Sequence, residues 1–348
     1  MRKVLLLTMA IVLSCVCVAG HAAETNFAND AFASQLTMDA FNKSVRYRMQ
    51  VARFDFYGGV KVPPAQSYVD GNLDGCPESA FTIWADGYTA WGKKKDSDGY
   101  KFNVAGPALG FDWSNGPLTL GVAGTYAWGK MKDRETWHEN KNRTWALTTY
   151  AQLNYERFYV NADLSYGRNR FKSTRKTFAG VYTPDDPADA KYHSNAWNAE
   201  MEIGTRLNLC NFLIEPHIGV RYFHDRRGGF DENNTALPSN YYSKRNYHAL
   251  EMPIGVDVGY EIAVCKTMLI PRLHFAYIPQ FDRKAGTASA DVAQVIRDSS
   301  SRARHGFELG AGLQAKVYRS LSAHVDYNVN MRSKAYEHTV TAGLGMSF

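Results

Sequence analysis

The chain has 348 residues, of which 45% are apolar, 13% aromatic and 21% charged, with a formal net charge of +6. Beyond the N-terminus no apolar run approaches the ~20 residues a membrane helix needs, which excludes a helical membrane protein. Lysine and arginine are scattered and form no basic block, which argues against a nucleic-acid partner.

Residues 1–22 read as a secretory signal: Arg2 and Lys3, a short apolar core from Val4 to Leu13, and small residues at Gly20-His21-Ala22 for cleavage before Ala23. Val12-Leu13-Ser14-Cys15 weakly resembles a lipoprotein processing site, but Leu before Ser is not the usual residue there. Residues 23–35 form a short, polar mature N-terminus. Leu36–Arg53 carries two periodicities. Met38, Phe41, Val45, Met49 and Ala52 recur at helical spacing, whereas Val45, Tyr47, Met49 and Val51 alternate as in a strand. Residues 54–80 are rich in Gly, Pro and Asp and read as a linker.

From Phe81 the pattern is regular. Strands are expected at 81–95, 100–114, 117–132, 142–155, 158–175, 192–209, 212–225, 246–264, 267–282, 303–317, 320–333 and 337–348. Tight turns at Asn115-Gly116, Glu156-Arg157, Cys210-Asn211, Cys265-Lys266 and Arg319-Ser320 alternate with longer polar stretches at 133–141, 176–191, 226–245 and 283–302. Apolar and polar residues alternate along the strands. Trp197, Met201, Ile203, Leu207 and Leu209 oppose Asn198, Glu200, Glu202, Arg206 and Asn208; Leu250 to Ile262 oppose Glu251, Asp257 and Glu261 in the same way. These strands are about twice the usual five or six residues of a soluble sandwich. Short turns on one side, long loops on the other, 21 Tyr and 28 Gly together indicate an all-β, 12-stranded antiparallel transmembrane barrel in a bacterial outer membrane.

The final strand, EHTVTAGLGMSF, places Val340, Ala342, Leu344, Met346 and Phe348 on a lipid-facing side, with Thr339, Thr341, Gly343, Gly345 and Ser347 opposite. It is expected to close on the strand near 81–95. Counting 36–53 as a strand would make thirteen, and bacterial single-chain barrels have even counts. The segment is therefore assigned as a helix in the lumen. Its Lys43, Arg46, Arg48 and Arg53 face an acidic set on the middle strands: Asp163, Glu200, Glu202, Glu215, Glu251, Asp257, Glu261 and Glu308. The expected plug pairs Lys43, Arg46 and Arg48 with Glu200, Glu202, Glu251 and Asp257.

Several stretches, taken in this order, resemble the translocator β-domain of classical autotransporters, the type V secretion proteins. They are the helical AFNKSVRYRMQVAR, then WADGYTAWG, GPALGFDW, GPLTLGVAGTYAWG, RFYVNADLSYGRNRF and FLIEPHIGVRYF, and a final run from GFELGAGLQAKV to the terminal Phe. The resemblance covers residues 36–348. It implies a helix inside a twelve-stranded barrel, and insertion by the outer-membrane barrel-assembly machinery, which reads Val340, Ala342, Leu344, Met346 and Phe348. Outer-membrane lipid and periplasmic chaperones are the other expected partners, and the barrel is expected to be a monomer. Two features depart from the family pattern. Only about a dozen mature residues precede the helix, which questions secretion of a passenger. Asn42 is followed by Lys43 rather than by a second Asn, so autoproteolysis is not carried over.

No Gly-x-Ser-x-Gly nucleophile motif or phosphate loop is present, and no cofactor or metal motif. His217, His224, His274 and His324 fall on different strands, with His217 and His274 expected in the lumen near acidic residues. Polar packing is the favoured reading of these histidines over a barrel peptidase or lipase. Cys210 and Cys265 sit in successive tight turns roughly 10 Å apart, beyond easy disulfide reach, and are read as free thiols; Cys76 has no evident partner. Three functions follow as expectations: a plugged translocator barrel, a porin-like channel if the helix moves, or an adhesive barrel displaying the loops at 176–191, 226–245 and 283–302.

Overall fold

The computed structural model describes residues 30–57, 80–95, 99–133, 138–175, 177–178, 181–182, 188–233, 240–264, 267–285, 304–317 and 320–348. The expected signal at 1–22, residues 23–29, linker residues 58–79 with Cys76, and Cys265 lie outside them.

Twelve strands form the wall. They are β1 (Ala80–Lys94), β2 (Tyr100–Asn115), β3 (Leu118–Asp133), β4 (His138–Tyr155), β5 (Phe158–Arg175), β6 (Ala188–Thr205, continued by Leu207–Leu209), β7 (Phe212–Arg227), β8 (Arg245–Glu251, Ile254–Tyr260 and Ile262–Val264), β9 (Thr267–Ala285), β10 (His305–Val317), β11 (Leu321–Arg332) and β12 (Ala335–Ser347). Each pairs antiparallel with the next. β12 returns to β1 in one unbroken register from Thr82↔Ser347 to Lys94↔Ala335. The closure runs to the last residue: Phe81 N–H donates to the Phe348 carbonyl at 3.1 Å, and Phe348 N–H donates to the Phe81 carbonyl at 2.9 Å. Among the described residues the barrel sheet closes on itself, as a spanning sheet requires.

Three departures from the periodicity reading have physical causes. β4 and β6 each begin four residues earlier than expected, at His138 and Ala188. Their first residues lack an apolar outward face, with Glu139 and Lys141 on β4 and Asp189 and Lys191 on β6, because they project past the apolar band, yet they still pair in the ladder. The expected strand 246–264 is interrupted at Met252-Pro253 and again at Glu261. Pro253 has no N–H to donate, and the register against β9 shifts beside Leu250 and Glu251. The tight turns carry left-handed residues at Glu156, Cys210, Gly116 and Lys334. Cys210 itself is an exposed thiol.

The outer surface is apolar. Ile83, Leu109, Leu120, Leu147, Leu164, Met201, Ile218, Leu273 and Leu344 are all exposed. So large an apolar belt is incompatible with water and fits lipid. Aromatic rings border it at both ends. Tyr166 stands between Trp145 and Trp197, with ring centroids 5.5 and 4.6 Å away. Near the opposite rim Phe81 stacks on Phe111, and Phe212 meets Tyr260 edge-on. On β12, Ala342, Leu344, Met346 and Phe348 are exposed, while Thr339 and Thr341 are fully buried.

Inside, rings lie flat over glycines of neighbouring strands. A Cβ on Gly110 would stand 2.1 Å from the Trp84 ring, and one on Gly121 would stand 2.2 Å from Tyr150. Trp84 Nε1 then donates to Tyr150 Oη at 2.9 Å, and Tyr150 Oη donates to Asp112 at 2.9 Å. Gly110→Val should displace Trp84 from this chain and lower barrel stability by ~1–3 kcal/mol. Gly87→Val, where a Cβ meets nothing within 4 Å, is the control. Thermal loss of the compact form in an unheated detergent gel measures both; equal effects would contradict the packing role of Gly110.

Candidate functional site in the barrel lumen

One helix, α1 (residues 30–56), fills the lumen. It extends beyond both ends of the 36–53 span. It contains no Gly or Pro, so nothing interrupts its ladder. Nearly every position is buried, polar and apolar alike. That pattern suits a helix surrounded by a polar wall rather than one lying on a surface.

The two sides of the lumen differ. β1 to β4 supply Trp84, Tyr88, Tyr100, Phe102, Val104, Ala123, Ala127 and Ala146, which form one apolar cluster with Phe32, Leu36, Met38, Phe41, Val45 and Met49 of α1; toward the long loops the cluster continues onto β5 to β8 through Phe171, Tyr192, Phe223 and Tyr247. Phe41 faces Tyr88, and Phe32 lies between Tyr100 and Tyr247. β6 to β10 carry the charge. Lys43 Nζ lies 3.0 Å from Glu308, and Arg53 donates to Glu215 at 2.9 Å with its guanidinium 3.6 Å over the Tyr159 ring. Arg46 stands 3.7 Å from Glu200. Arg48 reaches the other way and grips Asp112 of β2 with two hydrogen bonds of 2.6 and 2.8 Å. That is the charge-assisted fork geometry Arg favours.

Of the expected plug pairs, the structure brings Arg46 to Glu200. Lys43 goes to Glu308, and Arg48 goes to Asp112, which was not among the expected acids. Glu251 is held by wall arginines, Arg332 at 2.7 Å and Arg221 at 3.4 Å. Arg221 also forks onto Glu200 at 3.0 and 3.3 Å. Glu202 accepts from Asn161, and Asp257 lies against His217 and His274. The lumen is therefore not simply acidic. Arg206, Arg221, Arg227, Arg272 and Arg332 are also buried there, and alternation alone places Arg221 beside Glu215 and His217 on the inward face of β7.

The helix has a fixed direction. At its start Asp30 bonds Asn140 and Tyr192 and lies 3.8 Å from Arg227, and Ser34 donates to Asp225 at 2.9 Å. These partners sit at the long-loop ends of β4, β6 and β7. At its far end Asp55 meets Lys316, Tyr57 Oη donates to the Phe158 carbonyl at 3.0 Å, and Arg206 lies 5.2 Å over the Tyr57 ring. These belong to the short-turn rim. α1 thus runs from the long-loop side to the short-turn side.

A closed twelve-stranded barrel with an apolar belt, two aromatic borders and a helix in its lumen defines an integral outer-membrane barrel of translocator type. The profile of the Autotransporter beta-domain family matches residues 83–328. The chain belongs to that family and to the bacterial outer membrane. It is similar to Outer membrane protein A of Rickettsia rickettsii, with 25% identity over 287 residues, 78% of this chain and 13% of that protein. It thus spans about an eighth of that relative's length. Its fold is similar to the translocator domain of autotransporter NalP from Neisseria meningitidis (TM-score 0.63, 14% identity, covering 89% of this chain and 98% of that one). It is also similar to the β-domain of the Bordetella autotransporter BrkA (TM-score 0.57, 17% identity, 76% and 98%) and to the transport unit of AIDA-I from Escherichia coli (TM-score 0.51, 15% identity, 82% and 95%).

Asp112 is fully buried. Arg48→Met leaves its carboxylate against Tyr150 alone and should cost ~3 kcal/mol. Adding Asp112→Asn should recover more than half of that loss in denaturant unfolding of the micelle-bound protein. Strictly additive losses would contradict the pairing.

Proposed function

We propose that the barrel is the translocator unit of a type V secretion protein, and that α1 closes its lumen at rest. The observation that carries this reading is the direction of α1. Short turns of outer-membrane barrels face the periplasm and long loops face outward. Asp30 then lies at the cell-surface end of the lumen, while Tyr57 lies at the periplasmic rim. A segment linked ahead of α1 is held outside by a helix that occupies its own exit route. Apolar packing on one side of α1 and ion pairs on the other support a closed lumen over an open porin. No catalytic role is proposed for the lumen.

The same reading assigns β12 a part in assembly. An exposed apolar strand ending in Phe348 offers an edge to the barrel-assembly machinery before β1 closes on it. Lipid and periplasmic chaperones complete the proposed partners.

Two outcomes test these statements. An epitope placed directly ahead of Asp30 should be labelled and protease-sensitive on intact cells; labelling only after permeabilisation would overturn the orientation. Phe348→Ala keeps both backbone hydrogen bonds to Phe81. It should lower the outer-membrane yield several-fold while changing the unfolding of purified barrel by less than ~1 kcal/mol. Equal loss in both would contradict a role in assembly.

A further inference from the structure

We propose that His217, Asp257 and His274 bind one divalent transition-metal ion of the zinc class inside the barrel wall. The three side chains come from adjacent strands β7, β8 and β9. Asp257 pairs in register with His274 across β8 and β9 and with Glu215 across β7 and β8. His217 lies two residues on from Glu215, so all three ligands share the inward face at neighbouring levels.

The geometry is compact. His274 Nδ1 lies 2.8 Å from one Asp257 oxygen, and His217 Nδ1 lies 3.5 Å from the other. One donor atom from each residue falls within 4.8 Å of the other two. The imidazoles are parallel, with centroids 5.6 Å apart and planes 9° apart. Ligands around a tetrahedral zinc stand roughly 3.4 Å apart. For an ion to replace the hydrogen bond between them, the Asp257–His274 pair widens by about 0.5 Å and the two imidazoles, now within 4.8 Å, draw together onto it. Gly255 makes room for this arrangement. A Cβ there would stand 2.5 Å from His217 Nε2, so the ring lies against backbone with Nδ1 between the Glu215 carbonyl, 3.2 Å away, and Asp257; metal binding exchanges the carbonyl contact for the ion.

The surroundings allow a cation. Beside the cluster is a cavity of about 60 Å³, bordered by Arg46, Tyr47 and Gln50 of α1. That space accommodates water as a fourth ligand. Its lining holds five carboxylates against four Lys and Arg side chains, and one of the four, Arg272, donates to Gln50 at 2.9 Å. Two imidazoles and one carboxylate favour zinc, nickel, copper or ferrous iron over magnesium or calcium. The site lies where β8 is broken into three short pieces. A bound ion ties that strand to both neighbours.

The test uses the untagged chain, refolded into detergent micelles with Co²⁺ as probe, with Zn²⁺ or with chelator alone. The expected result is one equivalent of Co²⁺ showing the visible absorption of a low-coordinate site. Zn²⁺ should displace it and raise the unfolding temperature. His217→Ala and His274→Ala should each weaken binding at least ~100-fold. His224→Ala with His248→Ala, a register pair outside the cluster, should leave it unchanged. Asp257→Asn is the variant to read if the alanine variants do not refold. Absence of Co²⁺ absorption in the wild-type chain, or binding that survives loss of the cluster or depends on His224 and His248, would overturn the proposal and leave a hydrogen-bonded His–Asp–His cluster.

Discussion

A barrel of twelve strands encloses more space than its own wall side chains fill, and that space must be either watered or occupied. In this chain α1 occupies it, and much of the rest follows. The inward face of β1 to β4 can be aromatic and small because an apolar helix face lies against it. The inward face of β6 to β10 can hold Glu200, Glu215, Glu251 and Glu308 because Arg46, Arg53, Lys43 and the wall arginines stand opposite. Gly110 and Gly121 are needed because Trp84 and Tyr150 must lie flat to leave the helix its room.

Magnitudes divide the work between the two sides. Phe32, Leu36, Met38, Phe41, Val45 and Met49 are almost wholly buried, and each contributes ~1.5–3 kcal/mol on leaving water. Buried ion pairs contribute little net stability, because desolvation offsets most of their attraction. Losing one partner is nevertheless costly. The apolar stripe therefore holds α1 in place, while the charged contacts select its rotation and its depth. Arg48 with Asp112, and Arg53 with Glu215, fix those coordinates at two levels of the barrel.

The barrel was readable from local pattern. Alternation gives each strand its two faces, and the even-count rule turns the ambiguous 36–53 segment into a helix. The lumenal placement of His217, His274, Glu200 and Asp257 follows from the same phase. Pairing across the lumen was not readable, because periodicity specifies which way a side chain points and not what lies opposite. Asp112 escaped notice for that reason, on a strand whose Gly and Pro blur the alternation. Arg221 and Arg332 fall on inward faces by alternation, but their role as partners of Glu200 and Glu251 depends on cross-strand register and, for Arg332 with Glu251, on strands far apart in the chain. Strand starts at His138 and Ala188 escape periodicity because pairing continues beyond the lipid, where the outward residues Glu139, Lys141, Asp189 and Lys191 are polar.

The central claim is that α1 is locked in the lumen. Native-state hydrogen exchange of the α1 amides in the micelle-bound barrel tests it most directly. Amides across residues 36–53 should be protected to nearly the same degree as those of β3 to β5, and should exchange only when the barrel opens. Exchange of those amides within seconds, while the strands remain protected, would contradict it.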